Sequence, residues 1–275
     1  MTLRNTDLAR AYDLSIPHPN IPTLIENMAA KATAFRSDSP PAFSPVGSLG
    51  RPIDIFVPNG RIRGAVAMIH GGYWVRGAPT DITHLAAGAL TQGVAVGFVP
   101  YGLCPRYTIG DAISHAIEAT RIVSAAAGVP AAVFGHSAGG HLAAAVVAAG
   151  VSSDAVFVSG LYDLTPIVRI PLNETLVLTV DTARAWSPSE RPPLGPASVF
   201  AVVGENEPRG FLDQQEVLVE AWKGDAEIRS GVLVDGDHFS EIATLTDPES
   251  PLTVAVVEAA LAAAARHTSP AEPGA

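Results

Sequence analysis

A serine fenced by glycines stands at the joint between two contrasting stretches. "FGHSAGGH" occupies positions 134–141; the apolar, β-prone "VPAAV" precedes it and the helix-forming "LAAAVVAAG" follows. Gly135-His136-Ser137-Ala138-Gly139 fits G-x-S-x-G. Between a strand and a helix this pentapeptide makes a turn so sharp that the serine takes a strained backbone conformation, and the glycines let neighbouring backbone approach without a Cβ clash. Its Oγ is then presented at a helix N-terminus, where free N–H groups favour developing negative charge. Attack on a carbonyl is the chemistry such a serine supports; a plain serine N-cap is the bland alternative.

A serine hydroxyl needs a base. His238 follows a late strand and lies downstream of an acid-bearing strand end, in the order nucleophile, acid, histidine. His136 precedes the serine on the turn and is expected to point elsewhere, and His141 lies within the helix; both read as packing or supporting residues. The acid must hold the imidazole tautomer and offset the imidazolium. Glu207 is preferred because it lies past the strand end, where the chain can turn back; Glu205 and, further off, Asp213 are the alternatives. Asp237 reads as a turn residue. "HGGYW" over 70–74 supplies a Gly-rich loop whose backbone N–H groups would face an oxyanion without reorganising. Trp74 and Tyr162, each just beyond a strand, are expected to wall the substrate pocket, with packing as their ordinary alternative role.

These residues need a frame that brings strand ends together. Strands are predicted at "IDIFVP", "RGAVAMIH", "VAVGFVP", "PAAVFGH", "DAVFVSG", "ASVFAVVG" and "IRSGVLVDG", alternating with helices from "ITHLAAGALTQ" to "LTVAVVEAALAAAARH". "IPTLIENMAAKATAF" predicts an N-terminal helix. Strands alternating with helices imply an α/β fold, with a mostly parallel sheet and helices on both faces. Sites in such sheets sit at the carboxyl ends of the strands. The chain reads as a single domain over 1–275, with 1–50 and an insertion over 161–193 forming a small helical lid, and a disordered tail at 268–275.

The bulk numbers narrow the partners. The 275 residues carry a formal net charge of -10, which argues against a nucleic-acid partner. No apolar run is long enough to span a bilayer, and the N-terminus lacks a signal-peptide layout, so a cytoplasmic location is expected. The lone cysteine, Cys104, permits no internal disulfide and reads as a buried small hydrophobe. There is no HExxH, and the spacing of His136 and His141 does not suit zinc, so no metal is assigned.

With those motifs in view, the chain resembles an α/β-hydrolase of the hormone-sensitive-lipase-like branch, and more narrowly the kynurenine formamidase (arylformamidase) family. The stretches that carry the resemblance are "IHGGYWVRG", "YGLCPRYTIGDAI", "GHSAGGHLAA", "SGLYDLTPI", "ARAWSPSE" and "DHFSEIATLTDPESPLT", which span nearly the whole chain. The resemblance implies a Ser137–acid–His238 triad, backbone donors at Gly72, Tyr73 and Ala138, and cofactor-free hydrolysis of a formamide or ester, with a small aryl formamide as the leading substrate. The family's acid is Asp, whereas the matching stretch here reads "GENEP". A carboxylesterase for short-chain or aryl esters uses the same parts and is the alternative. A non-catalytic ligand-binding protein on the same scaffold is the third reading. The expected partner is a small aryl amide or ester, and a homodimer is compatible with each reading.

Overall fold

The computed structural model of the chain describes residues 5–268. Its centre is a seven-stranded sheet: β1 (Ile55–Phe56), β2 (Gly64–Ile69), β3 (Val94–Val99), β4 (Ala131–His136), β5 (Asp154–Val158), β6 (Ser198–Gly204) and β7 (Glu227–Leu233). The spatial order is β1-β3-β2-β4-β5-β6-β7. β1 runs antiparallel to β3 and every other pairing is parallel. Asn59-Gly60 turns the chain, as its composition suggests, yet closes no hairpin, because β1 pairs with β3 and not with β2.

The helices in chain order are α1 (Asn5–Arg10), α2 (Ile21–Asp38), α3 (Ala87–Thr91), α4 (Ile109–Ala127), α5 (Ala138–Ala148), α6 (Asn173–Leu176), α7 (Val180–Trp186), α8 (Arg209–Ala221), α9 (Ser240–Ala243) and α10 (Pro251–Thr268). The stretch read as one helix at "ITHLAAGALTQ" divides into a 3₁₀ segment, Pro79–Ala86, and α3. None of the described helices is long and apolar enough to cross a membrane. Residues 269–275 of the expected tail lie outside the described residues, while Thr268 ends α10.

Side chains alternate across the pleat, so the central strands feed two cores. Ala65, Ala67, Ile69, Val133 and Phe157 join the core built with α4, α5 and α8. Val66, Met68, Phe98, Phe134 and Val156 join the second, beneath α10 and the 79–91 segment. Strands buried on both faces are near-continuously apolar, as β2 and β3 are throughout, β4 up to His136 and β5 after Asp154. Sequence-local devices set the helix ends. Thr108 Oγ1 accepts from Asp111 N at 3.1 Å, Asp111 Oδ2 accepts from Thr108 N at 2.8 Å, and Gly128 ends α4 in the left-handed region.

Candidate active site

β4 ends at His136, α5 begins at Ala138, and Ser137 between them has φ 57 and ψ -123. Such a conformation costs on the order of 1–3 kcal/mol and persists only where its surroundings over-determine it. They do so here by close approach. A Cβ at Gly135 would lie 2.1 Å from the Gly139 carbonyl oxygen, and one at Gly139 would lie 2.1 Å from that of Ile69. Both outer positions of the motif are therefore glycine because backbone occupies the space. Ser137 N donates to Val158 O at 2.9 Å, and Ser137 O accepts from Gly140 N at 2.8 Å.

Beyond β6 the chain bends back, and Glu207 meets His238. His238 Nδ1–H donates to Glu207 Oε2 across 2.6 Å, with both side chains shut off from solvent. The other carboxylate oxygen accepts from Gly204 N at 3.1 Å and from the Ser159 hydroxyl. With Nδ1 committed to Glu207, the Nε2 lone pair is the free basic site of His238. The alternatives for the acid are elsewhere: Glu205 is exposed and accepts from Asp235 N, and Asp213 pairs with Arg209 on the surface of α8. Asp237 behaves as a turn residue, its Oδ1 accepting from Phe239 N and Ser240 N.

The loop over 70–74 packs against the serine, since a Cβ at Gly71 would lie 2.9 Å from Ser137 Cβ. Its carbonyls are tied away. Gly71 O accepts from His70 Nδ1 at 2.7 Å and from the buried Tyr101 hydroxyl at 3.2 Å; Gly72 O accepts from Val75 N and Arg76 N at 3.1 Å each. In a trans peptide the C=O and the next N–H point in opposite directions. Fixing those two carbonyls therefore aims the N–H groups of Gly72 and Tyr73 the other way. Gly72 (φ 116), Tyr73 (φ 52) and Trp74 (φ 60) all take positive φ to make the turn. Ala138, at the first turn of α5, is fully buried behind Ser137.

A cavity of about 490 Å³ opens onto Ser137, His238, Gly72 and Tyr73. Its roof is the N-terminal segment, through Tyr12, Leu14, Ile25 and Met28, and Phe239 and Ile242 close one side. Among the described residues, no group of three or more His, Cys, Asp or Glu is placed to hold a metal ion.

The model of the alpha/beta hydrolase fold matches residues 66–192. A structure from Silicibacter sp. TM1040, proposed to be a thioesterase, is 32% identical, covers 90% of this chain and 98% of its own, and superposes with a TM-score of 0.83. This chain belongs to the α/β hydrolases. A kynurenine formamidase of Salmo salar is 28% identical over 225 residues, 74% of this chain and 76% of that protein. A hormone-sensitive lipase from a metagenome library shares the fold, with a TM-score of 0.64, 18% identity, and 84% and 91% coverage of the two chains.

Three sequence expectations are corrected in this hydrolase. Trp74 and Tyr162 do not line the cavity. Trp74 is fully buried, and its Nε1–H donates to His141 Nδ1 at 3.3 Å while His141 Nε2–H donates to Trp186 O at 2.8 Å. Tyr162 is buried beside Phe157, its N–H donating to Gln214 Oε1 at 2.6 Å. Both follow strands, but their side chains turn into the scaffold. The insertion over 161–193 likewise supplies no described residue to the cavity wall. His136 does not point away: it lines the cavity, its ring centroid is 4.6 Å from that of His238, and its Nε2–H donates to His238 O at 2.8 Å. Burial, followed by the neighbouring His238, holds His136 well below the usual histidine range. Burial also brings His70 and His141 down to about 4. All three are neutral supports near neutral pH.

Two contributors carried no motif. Ser159 (φ 53) donates to Glu207, yet in sequence it is one serine in "VSG". Glu241 is buried with neither carboxyl oxygen hydrogen-bonded among the described residues. A Cβ at Gly204 would lie 2.4 Å from Glu241 Oε1, so the two carboxyls of Glu207 and Glu241 flank one glycine. Burial first, then Glu207 and Asp237, push Glu241 up to about 8.

Proposed function

We propose that this hydrolase cleaves a small aryl formamide through a formyl-enzyme. Ser137 Oγ attacks the formyl carbon as His238 Nε2 takes its proton, and Glu207 holds the imidazole and offsets the imidazolium. The N–H groups of Gly72, Tyr73 and Ala138 receive the oxyanion. His238 then gives the proton to the departing aniline nitrogen, which leaves as the neutral amine. Water, deprotonated by His238, attacks the formyl ester; formate departs and Ser137 recovers its proton.

The observation that carries this reading is the buried 2.6 Å contact between Glu207 and His238, opening on the same cavity as a serine at φ 57. The likeness to a kynurenine formamidase supports the formamide as substrate. A carboxylesterase is the second reading, favoured by the likeness to a proposed thioesterase and a lipase. An alkoxide, phenolate or thiolate asks less of the protonated histidine than an anilide does.

Turnover of N-formylkynurenine and p-nitrophenyl acetate, measured in parallel, tells the two apart. Ser137→Ala should reduce both rates by at least about 10³-fold in a protein whose circular dichroism is unchanged, because members of such a unit act together. Near-normal turnover by that variant would remove Ser137 as the nucleophile, and failure of Ser137 to react with a fluorophosphonate would return the chain to the ligand-binding reading.

A further inference from the structure

Glu241 stands between the two turns that carry the acid and the base. One turn leaves the end of β6 at Gly204 and reaches Glu207; the other leaves the end of β7 and reaches His238. Backbone ties them edge to edge: Glu205 N donates to Leu233 O at 3.0 Å, and Asn206 N donates to Gly236 O at 2.9 Å. The Glu241 carboxyl enters this seam from α9, and a glycine on each side makes the room. A Cβ would lie 2.4 Å from Glu241 Oε1 at Gly204 and 2.5 Å from it at Gly236. Gly204 also donates its N–H to Glu207 Oε1 at 3.1 Å, so one glycine touches both carboxyls.

The seam has nothing to offer a carboxylate. Glu241 is buried, and neither of its oxygens has a hydrogen-bond partner among the described residues. The turn over 205–208 brings Glu205 and Glu207, and the turn over 234–239 brings Asp235, Asp237 and His238; neither contains a lysine or arginine. His238 is committed to Glu207. His18 of the N-terminal segment faces Asp237 at 3.7 Å, and His136 of β4 donates to the His238 carbonyl. The 3₁₀ turn Thr244–Thr246 that follows α9 carries no acid or base. A buried charge without a partner is costly enough that the group keeps its proton instead, and the rise to about 8 under burial, Glu207 and Asp237 agrees with the geometry. Once ionised, Glu241 would face the Glu207 carboxyl across a single glycine. Parting the turns to admit water relieves that repulsion.

We propose that Glu241 is a positioning residue for the Glu207–His238 pair: as the neutral acid it fills the seam, and on ionisation the turns part and Glu207 releases His238. Glu241 thereby sets the alkaline limit of catalysis. This rests on the Glu207–His238 pair serving Ser137, and it holds for a formamide or an ester alike.

Two readouts test it, one of them independent of turnover. With whichever of N-formylkynurenine and p-nitrophenyl acetate is cleaved, wild-type kcat should fall about 5- to 10-fold between about pH 7 and about pH 9, measured where circular dichroism is unchanged. Glu241→Gln, neutral throughout, should hold kcat within about twofold over that range, and Glu241→Asp, which still titrates, should restore the fall. Glu241→Met serves as a second non-titrating side chain if the glutamine variant does not fold. In proton NMR, the downfield resonance of His238 Nδ1–H, assigned by its loss in Glu207→Gln, should be present in wild type near pH 7 and absent near pH 9. In Glu241→Gln it should persist at both. The same alkaline fall in wild type and Glu241→Gln, or no fall in wild type, overturns the proposal. So does a wild-type resonance that survives near pH 9. A protein that leaves both substrates intact refutes the proposed function, and the resonance alone then decides the role of Glu241.

Discussion

Two segments outside the sheet treat its catalytic edge differently. The N-terminal segment lays Leu14, Ile25 and Met28 over the cavity that holds Ser137, all within reach of a ligand. The insertion over 161–193 starts next to the same edge but is absorbed into the scaffold. Gln214 accepts from Tyr162 N and Asp163 N and donates to Asp163 O, and Ser187 Oγ accepts from Leu164 N. Buried backbone must be hydrogen-bonded, so a loop served by buried side chains of this kind is fixed in place. The half-buried helix α2 is held by apolar contact, by the pair of Arg36 with Asp54 and by Thr83 Oγ1, which donates to Ala32 O. On the proposed reading, selection of substrate belongs to the N-terminal segment, and rigidity to the insertion.

The largest effect should lie beneath both segments. Glu207→Gln is expected to lower kcat by about 10³–10⁴-fold, because the amide misdirects the His238 tautomer. Glu205→Gln, on an exposed side chain, should stay within a factor of about three. Steady-state kinetics on the two variants check this, and the reverse ranking would detach the acid from the 2.6 Å contact.

Next comes the scaffold side. Trp74→Ala and Tyr162→Ala should each cost about 3–5 kcal/mol of stability in urea unfolding. Their effect on kcat/KM should be the same for aryl and small alkyl substrates. A selective loss for aryl substrates would bring these rings back to the ligand and erase the contrast between the two segments.

The cap should answer in the opposite sense. Ile25→Ala with Met28→Ala is expected to raise KM for aryl substrates by about tenfold, from lost apolar contact of about 1–2 kcal/mol. Stability should change little, since both side chains are only partly buried. A large drop in stability with unchanged KM would make α2 a structural element like the insertion.

The smallest effect per step is the pH slope of stability. Glu241 has a folded value near 8 against an ordinary one near 4.5, so its contribution is complete below about 4.5 and is lost as pH rises to about 8. His70 and His141 are depressed to about 4 and His136 is also lowered, so their contributions are complete above about 6.5 and are lost as pH falls. Between about 6.5 and 8 only Glu241 acts among these groups, at up to about 1.4 kcal/mol per pH unit; below 6.5 the three histidines outweigh it. Stability should therefore peak near pH 6.5. Glu241→Gln should flatten the fall from 6.5 to 8, and a melting temperature that climbs over that range contradicts the account.

The sequence by itself determined much of this protein. Alternating apolar runs and helical stretches specify the parallel sheet, because a strand covered on both faces is near-continuously apolar. G-x-S-x-G marks the turn, because backbone at 2.1 Å leaves no room for a Cβ at Gly135 or Gly139. Glu207 and His238 were legible as residues just past strand ends. Tertiary structure decided what depends on direction and enclosure. Position after a strand says nothing about where a ring turns, so Trp74 and Tyr162 were misplaced; His136 was judged by its neighbour in sequence and not by the His238 backbone 102 residues away. Ser159 and Glu241 have no local signature, since one acts through a carboxylate and the other is defined by burial without a partner. Which segment becomes the roof is likewise a packing outcome, settled by whether its polar backbone or its apolar side chains find partners at the edge of the sheet.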